Sequence, residues 1–139
     1  MAKSFIVAAL GGRADAGVVI NVEQVGNDIV ASGGGTLNLT DLTFVSEAGA
    51  IAAIITDPAF IGMGPIPNPS GNSMNAYQGL TGPATFGTTT RVGNDASSGS
   101  GDLFALNADW NQPTPGPTLF VPIGYSSGTA LSATDTYSG

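Results

Sequence analysis

Val18, Ile20 and Val22 alternate with Val19, Asn21 and Glu23, and further on Leu37 and Leu39 alternate with Thr36, Asn38 and Thr40. A two-residue period puts alternate side chains on opposite faces of an extended chain, so the spacing predicts two half-buried strands that pair with each other. Joined by a two-residue loop at Asn27-Asp28, they set Val18 opposite Leu37, Ile20 opposite Gly35 and Val22 opposite Gly33. A three-residue loop instead opposes Val18 to Thr36 and Val22 to Ser32 and throws the leucines to the other side. The pattern therefore selects the even loop, and Gly26-Asn27-Asp28 suits the positive φ that such turns require. The run Gly33-Gly34-Gly35 then leaves room opposite Ile20 and Val22 for a bulge or for a close second sheet. The other reading of the same glycines is an unpaired loop.

Downstream, "LTFVS" (42–46) continues as strand or turn. In "AGAIAAIIT" (48–56), Ile51, Ile54 and Ile55 fit a helical repeat. The segment is short, lies between Gly49 and Asp57-Pro58, and is rich in a β-branched residue, which favours a strand. "IGMGPIPNPSGNSMN" (61–75) and "WNQPTPGPT" (110–118) read as extended loops, because proline withholds its N–H from any sheet. Short strands are expected around Ala76–Leu80, Pro83–Phe86 and Asp102–Leu106, and "TLFVPIGY" and "TALSATDTY" supply two more, the last one alternating. "VGND" at 92–95 repeats the phrase at 25–28 and reads as the same turn used twice. About eight short strands separated by long Gly/Pro-rich loops predict an all-β fold, an antiparallel β-sandwich.

Composition agrees with many turns and one core. Gly supplies 21 of the 139 positions and Pro nine, while charged residues are 9% of the chain and hydrophobic ones 42%, too many for a disordered segment. A chain of this length forms one domain. The net charge of −7, with only Lys3, Arg13 and Arg91 as cations, leaves no basic surface for nucleic acid or anionic lipid. No run approaches the roughly 18 apolar residues of a membrane-spanning helix. The first sixteen residues read two ways. Lys3, the apolar run Phe5 to Leu10 and the ending Ala14-Asp15-Ala16 resemble a shortened secretory signal, but the apolar core falls below the roughly 7 to 15 residues such a region needs. The alternative is an ordinary first strand, "SFIVAAL". Residues 17–139 form the single domain.

The phrases "INVEQVGNDIVASGGGTLNLTDLTF" (20–44), "YQGLTGPATFG" (77–87), "ASSGSGDLFAL" (96–106) and "LFVPIGYSSGTALSATDTY" (119–137) together resemble the exported ectodomains of bacterial PEP-CTERM proteins. The resemblance implies export, a place in the cell envelope or extracellular polymer, and no catalytic residues to carry over. It also implies a C-terminal sorting segment that this chain, ending at Tyr137-Ser138-Gly139, does not show. A sandwich short of its last strands exposes an unpaired backbone edge, and such an edge accepts another strand. Either the chain is a fragment, with the domain 17–139 incomplete at its C-terminus, or a partner closes the gap, and from the second alternative self-association through strand edges, as a homo-oligomer or fibre, is expected.

Candidate chemistry is sparse. With no His and no Cys, the Ser-His-Asp and Cys-His nucleophile systems are excluded, as are thiolate metal sites and disulfides. A Ser-Lys pair would have to use Lys3 at the chain terminus. Two carboxylates among Glu23, Glu47 and the aspartates would serve a glycosidase, but Asp28 and Asp95 fall in turn phrases where capping explains them. "GNDASSGSGD" (93–102) offers Asn94, Asp95, Ser97 and Asp102 as oxygen ligands, a weak calcium candidate that lacks the order of an EF-hand loop, and a solvated turn explains it as well. No other cofactor is expected. "GMGPIPNPSGNS" has the glycines of a phosphate loop but no Lys and no following helix. Trp110, Tyr77, Tyr125 and Tyr137 are candidates for a sugar-stacking face, with packing roles as the alternative. The chain is thus expected to be a non-catalytic, secreted structural or matrix protein that self-associates. The alternative is a carbohydrate-binding module whose partner is a polysaccharide.

Overall fold

A computed structural model describes residues 3–7 as backbone and residues 17–66, 74–87, 90–111 and 114–139 in full. In chain order the strands are β1 (Lys3–Val7), β2 (Val18–Val25), β3 (Asp28–Thr36), β4 (Thr43–Ala48), β5 (Ala53–Ile55) and β6 (Phe60–Met63). They continue as β7 (Met74–Gln78), β8 (Gly93–Asp95), β9 (Ser98–Gly101), β10 (Phe104–Trp110), β11 (Gly116–Pro122) and β12 (Ala130–Tyr137). Two antiparallel sheets result, ordered β1-β2-β3-β12-β9 and β4-β7-β11-β10-β6-β5-β8. The fold is all-β and sandwich-like, with one buried cluster drawn from both sheets: Val18, Ile20, Ala31, Leu131 and Ala133 from the first, Ile61, Phe104, Leu106, Leu119 and Val121 from the second.

The β2–β3 hairpin has the even loop that the alternation selects, one residue earlier than expected. Val25 pairs with Asp28, so Gly26 and Asn27 form the turn, and Ile20 faces Gly33 rather than Gly35. Gly26 provides the reason, since it takes the positive φ (64°) while Asn27 does not. A shift of two residues keeps every side chain on its face, so Val18 and Ile20 remain buried. Leu37 is buried too, but it follows the end of β3 instead of pairing with Val18. Pairing through Gly33-Gly34-Gly35 is continuous, without a bulge. A Cβ on Gly33 would stand 3.0 Å from Ile20 Cγ1 and 3.3 Å from Phe104 Cζ, and Phe104 belongs to the facing sheet. The glycine run is thus where the second sheet comes close.

The seven-stranded sheet is apolar on both faces. Its far side carries a second buried cluster of Ala48, Ala53, Phe60, Met74, Ala76, Leu103, Ala105 and Phe120. Chain reach explains how that side is covered. β4 and β5 are consecutive in sequence but five inter-strand steps apart in the sheet, about 24 Å if it were flat. The link from Ala48 to Ala53 spans at most about 18 Å. The sheet must therefore curl, and the link Gly49–Ile51 crosses its concave side, where the Ile51 carbonyl oxygen occupies the space a Cβ on Gly62 would take.

Several local expectations change. The second "VGND" is not a turn: Gly93–Asp95 form β8, paired with Ile55, Ile54 and Ala53. The expected strand Pro83–Phe86 is absent, and residues 84–87 form bends. The expected loop 61–75 begins in β6 and ends in β7, with 67–73 outside the described residues. The expected loop 110–118 begins in β10 and ends in β11, with 112–113 likewise outside them. Among the described residues there are twelve strands, and two of them leave no sequence pattern: β6 is buried on both faces and so shows no alternation, while β9, Ser-Gly-Ser-Gly, has no apolar residue at all. β12 is not an open edge, because β3 pairs with it along its length and β9 covers its other side. Among the described residues the outermost strands are instead β1 and β9 in one sheet and β4 and β8 in the other, and Ile66 N–H donates to the Gly99 carbonyl on β9. Because the two sheets approach at Gly33, Gly33→Val is expected to destabilise the protein by about 1–3 kcal/mol through overpacking against Ile20 and Phe104, measurable by denaturant unfolding.

Candidate functional site

The concave side of the curled sheet opens into a cleft of about 300 Å³. Its floor is Phe60 on β6 and Phe120 on β11, with Ile55 and Pro58 beside them and the crossing link Gly49–Ile51 on one wall. Asn107, Asp109 and Trp110 enter from β10, and Arg91 from the segment before β8. On a regular strand Trp110 would face away from Asn107. β10 carries one extra residue between its Asn107–Thr118 and Trp110–Gly116 pairs, and this register shift turns Trp110 to the cleft side. There the indole packs edge-to-face on Phe120, with ring centroids 5.2 Å apart at 78°.

The polar rim is held by short local bonds. Asn107 Oδ1 accepts the Asp109 backbone N–H at 3.0 Å, which leaves the Asn107 amide nitrogen and the exposed Asp109 carboxylate directed to other partners. Arg91 is fixed through its neighbour: Val92 N–H donates to Thr56 Oγ1 at 2.8 Å and Thr56 N–H donates to the Val92 carbonyl at 2.9 Å. The Arg91 guanidinium itself makes one long bond, 3.4 Å, to the Asp57 carbonyl. Apolar walls with a few convergent polar groups are the usual make-up of a small-ligand site. Among the described lining residues there is one carboxylate, Asp109.

Of the aromatic candidates, only Trp110 reaches this cleft. Tyr77 lies on the other face of the sheet, edge-to-face with Phe44 at 5.8 Å. Tyr125 is a structural bridge, its hydroxyl accepting from Leu37 N–H at 2.9 Å and donating to the Thr129 carbonyl at 2.6 Å. Tyr137 is buried in the core. The calcium candidates fall on two sheets: Asn94 and Asp95 are on β8, whereas Asp102 follows β9. Asp102 Oδ2 accepts Ser132 N–H at 2.8 Å, and Ser97 Oγ donates to the Thr136 carbonyl at 2.8 Å and accepts Ser138 N–H at 3.2 Å. Both thus stitch β12 to its surroundings. Among the described residues no three acidic side chains gather as a metal site would require. Sequence reasoning missed Arg91, Asn107 and Asp109 as site residues. "NADW" did carry a trace, two polar residues at strand spacing beside the only tryptophan.

A second polar feature was also missed. Asp135 is wholly buried, on the inward face of β12 between Ala133 and Tyr137. Both its carboxylate oxygens meet the Gly64 N–H beyond β6, at 3.0 and 3.3 Å, which ties one sheet to the other. Gly99 makes the space, since a Cβ there would collide with the Asp135 carboxylate and the Gly64 carbonyl. Burial pushes the Asp135 carboxyl up to about 6, and the Gly64 N–H offsets part of that rise. Burial, then the negative charges of Asp135 and Asp95, pushes the Tyr137 phenol up as well, and its hydroxyl finds no hydrogen-bond partner among the described residues.

Folding therefore favours the protonated form of Asp135. Its contribution to stability is full below the unfolded carboxyl's range, near pH 4, and is lost as pH rises through about 6, a difference on the order of 3 kcal/mol. Denaturant titrations between about pH 4 and 7 are expected to show this fall. In Asp135→Asn, which keeps an acceptor for Gly64 and has no charge to bury, that component disappears.

No protein-family model, no curated protein and no solved structure matches this chain.

Proposed function

We propose that the protein is a non-catalytic carbohydrate-binding module, secreted to the bacterial extracellular matrix, which holds its ligand in the cleft of the curled sheet. The observation that carries this reading is the placement of Trp110, braced on Phe120, beside Asn107, Asp109 and Arg91. A pyranose ring offers apolar C–H faces to an aromatic plane and hydroxyls around its rim to amide, carboxylate and guanidinium groups. The cleft volume is of the size usual for small-ligand sites. A single carboxylate in the lining supports binding over glycoside hydrolysis, which uses two. Export and a matrix location rest on the resemblance to PEP-CTERM ectodomains.

A second reading, self-association through strand edges into an oligomer or fibre, is favoured by one observation. Phe44 is 52% exposed on β4, a six-residue strand whose outer side pairs with no strand among the described residues. Two features oppose it: the register shift between Phe44 and Ser46 twists that edge, and Glu47 places a charge on it.

Trp110 is the only tryptophan, so its emission reports on the cleft directly. Titration with soluble oligosaccharides is expected to shift that emission with saturation, and Trp110→Ala to weaken binding about tenfold or more by calorimetry. An emission that stays constant across neutral and acidic oligosaccharides would remove this reading. For the second reading, sedimentation velocity over a concentration series is expected to show mass growth that Phe44→Lys suppresses. A monomer at every concentration sinks it.

A further inference from the structure

We infer that the sugar received by the cleft is a hexuronic acid, whose ring carboxylate is bound by Arg91. This rests on the reading of the cleft as a saccharide site and names the ligand class that its polar groups select.

A guanidinium has five N–H donors in a planar fork that matches a carboxylate. Arg91 uses one of them, at 3.4 Å, on the Asp57 backbone carbonyl, and no described carboxylate stands within ion-pair distance of it. In a chain of net charge −7, the one cation with a described side chain is thus spent on no internal acid and faces the cleft. Asn107 contributes donors as well: one lone pair of its Oδ1 already accepts from Asp109 N–H, while its amide nitrogen, with two N–H donors, has no partner among the described residues. The rim's unspent inventory is rich in donors, with Asp109 as the one charged acceptor. A neutral sugar, whose hydroxyls donate and accept alike, leaves most of the Arg91 fork unmatched. A ring bearing a carboxylate matches it.

Asp109 sets the orientation. Its negative charge repels a ligand carboxylate and accepts hydroxyl protons, so the acid end of the sugar is directed to Arg91 and the hydroxyl-bearing edge to Asp109. Trp110 stacks the ring between them, with Phe120 holding the indole in place. Arg91 acts here as a specificity determinant and Trp110 as the general sugar contact.

Calorimetry with trigalacturonic acid, its methyl ester and neutral galactotriose tests this. The wild-type protein is expected to bind the free acid about tenfold or more tighter than the ester, the scale of one charge-assisted paired contact. Arg91→Gln is expected to bring the acid's affinity down to that of the ester, and Arg91→Lys to retain part of the preference, since a lysine keeps the charge without the fork. Trp110→Ala weakens acid and ester together. Thermal unfolding of each variant confirms that it is folded. If the wild-type protein binds acid and ester equally, or if Arg91→Gln keeps the preference, the hexuronate inference is overturned while saccharide binding stands. If none of the three ligands binds, both fall.

Discussion

Ala48 and Ala53 are joined by too short a piece of chain for the sheet that contains them to be flat. With β7, β11, β10 and β6 lying between β4 and β5, the link can close only if the sheet bends toward it. That bend gives the sheet its second buried face, with Phe60, Met74, Ala105 and Phe120 shielded from water on the concave side. It also shapes the cleft, because the crossing segment Gly49–Ile51 lines the concavity together with Trp110 and the polar residues Arg91, Asn107 and Asp109. Gly62 is the point of closest crossing, where any side chain would displace the Ile51 carbonyl.

The same economy of side chains recurs where the sheets meet. Gly33 yields its Cβ space to Phe104 from the opposite sheet, and Gly99 yields its own to the Asp135 carboxylate. Close backbone approach therefore replaces bulky interdigitation at two places in the core, and a chain with 21 glycines can pack two sheets without large side chains at every inward position. Asp135 is the cost of this arrangement. It links β12 to Gly64 beyond β6, but it places an ionisable group where water is excluded, and its charge also bears on Tyr137. The link is therefore sensitive to protonation in a way an apolar contact would not be.

The low charge of the protein sharpens the chemistry of its cleft. Where few charges exist, one guanidinium without an acidic partner among the described residues dominates its surroundings, and the single extra residue in β10 brings the indole into the same cleft. Specificity in such a site comes from unmatched donors, since a ligand that leaves them unpaired forfeits the bonds they made with water.

Local alternation was enough to place β2, β12 and the even β2–β3 loop, because a buried face repeats every two residues and a one-residue slip would reverse it. The missing His and Cys likewise bounded the chemistry from composition alone. The apolar runs of β6 and β11 could be read as extended or looped, but their burial on both faces left no period to recognise. β8 and β9 were illegible because they are held by backbone bonds to distant strands, not by any pattern of their own. Nor could the sequence tell that Arg91 and Trp110 share a cleft. Their meeting depends on the curl of a sheet whose neighbouring strands are far apart in the chain, and on a register shift that reverses one side chain. Periodicity records which face a residue takes on its own strand. Which strands become neighbours, and what their faces enclose, is settled only when the whole sheet closes.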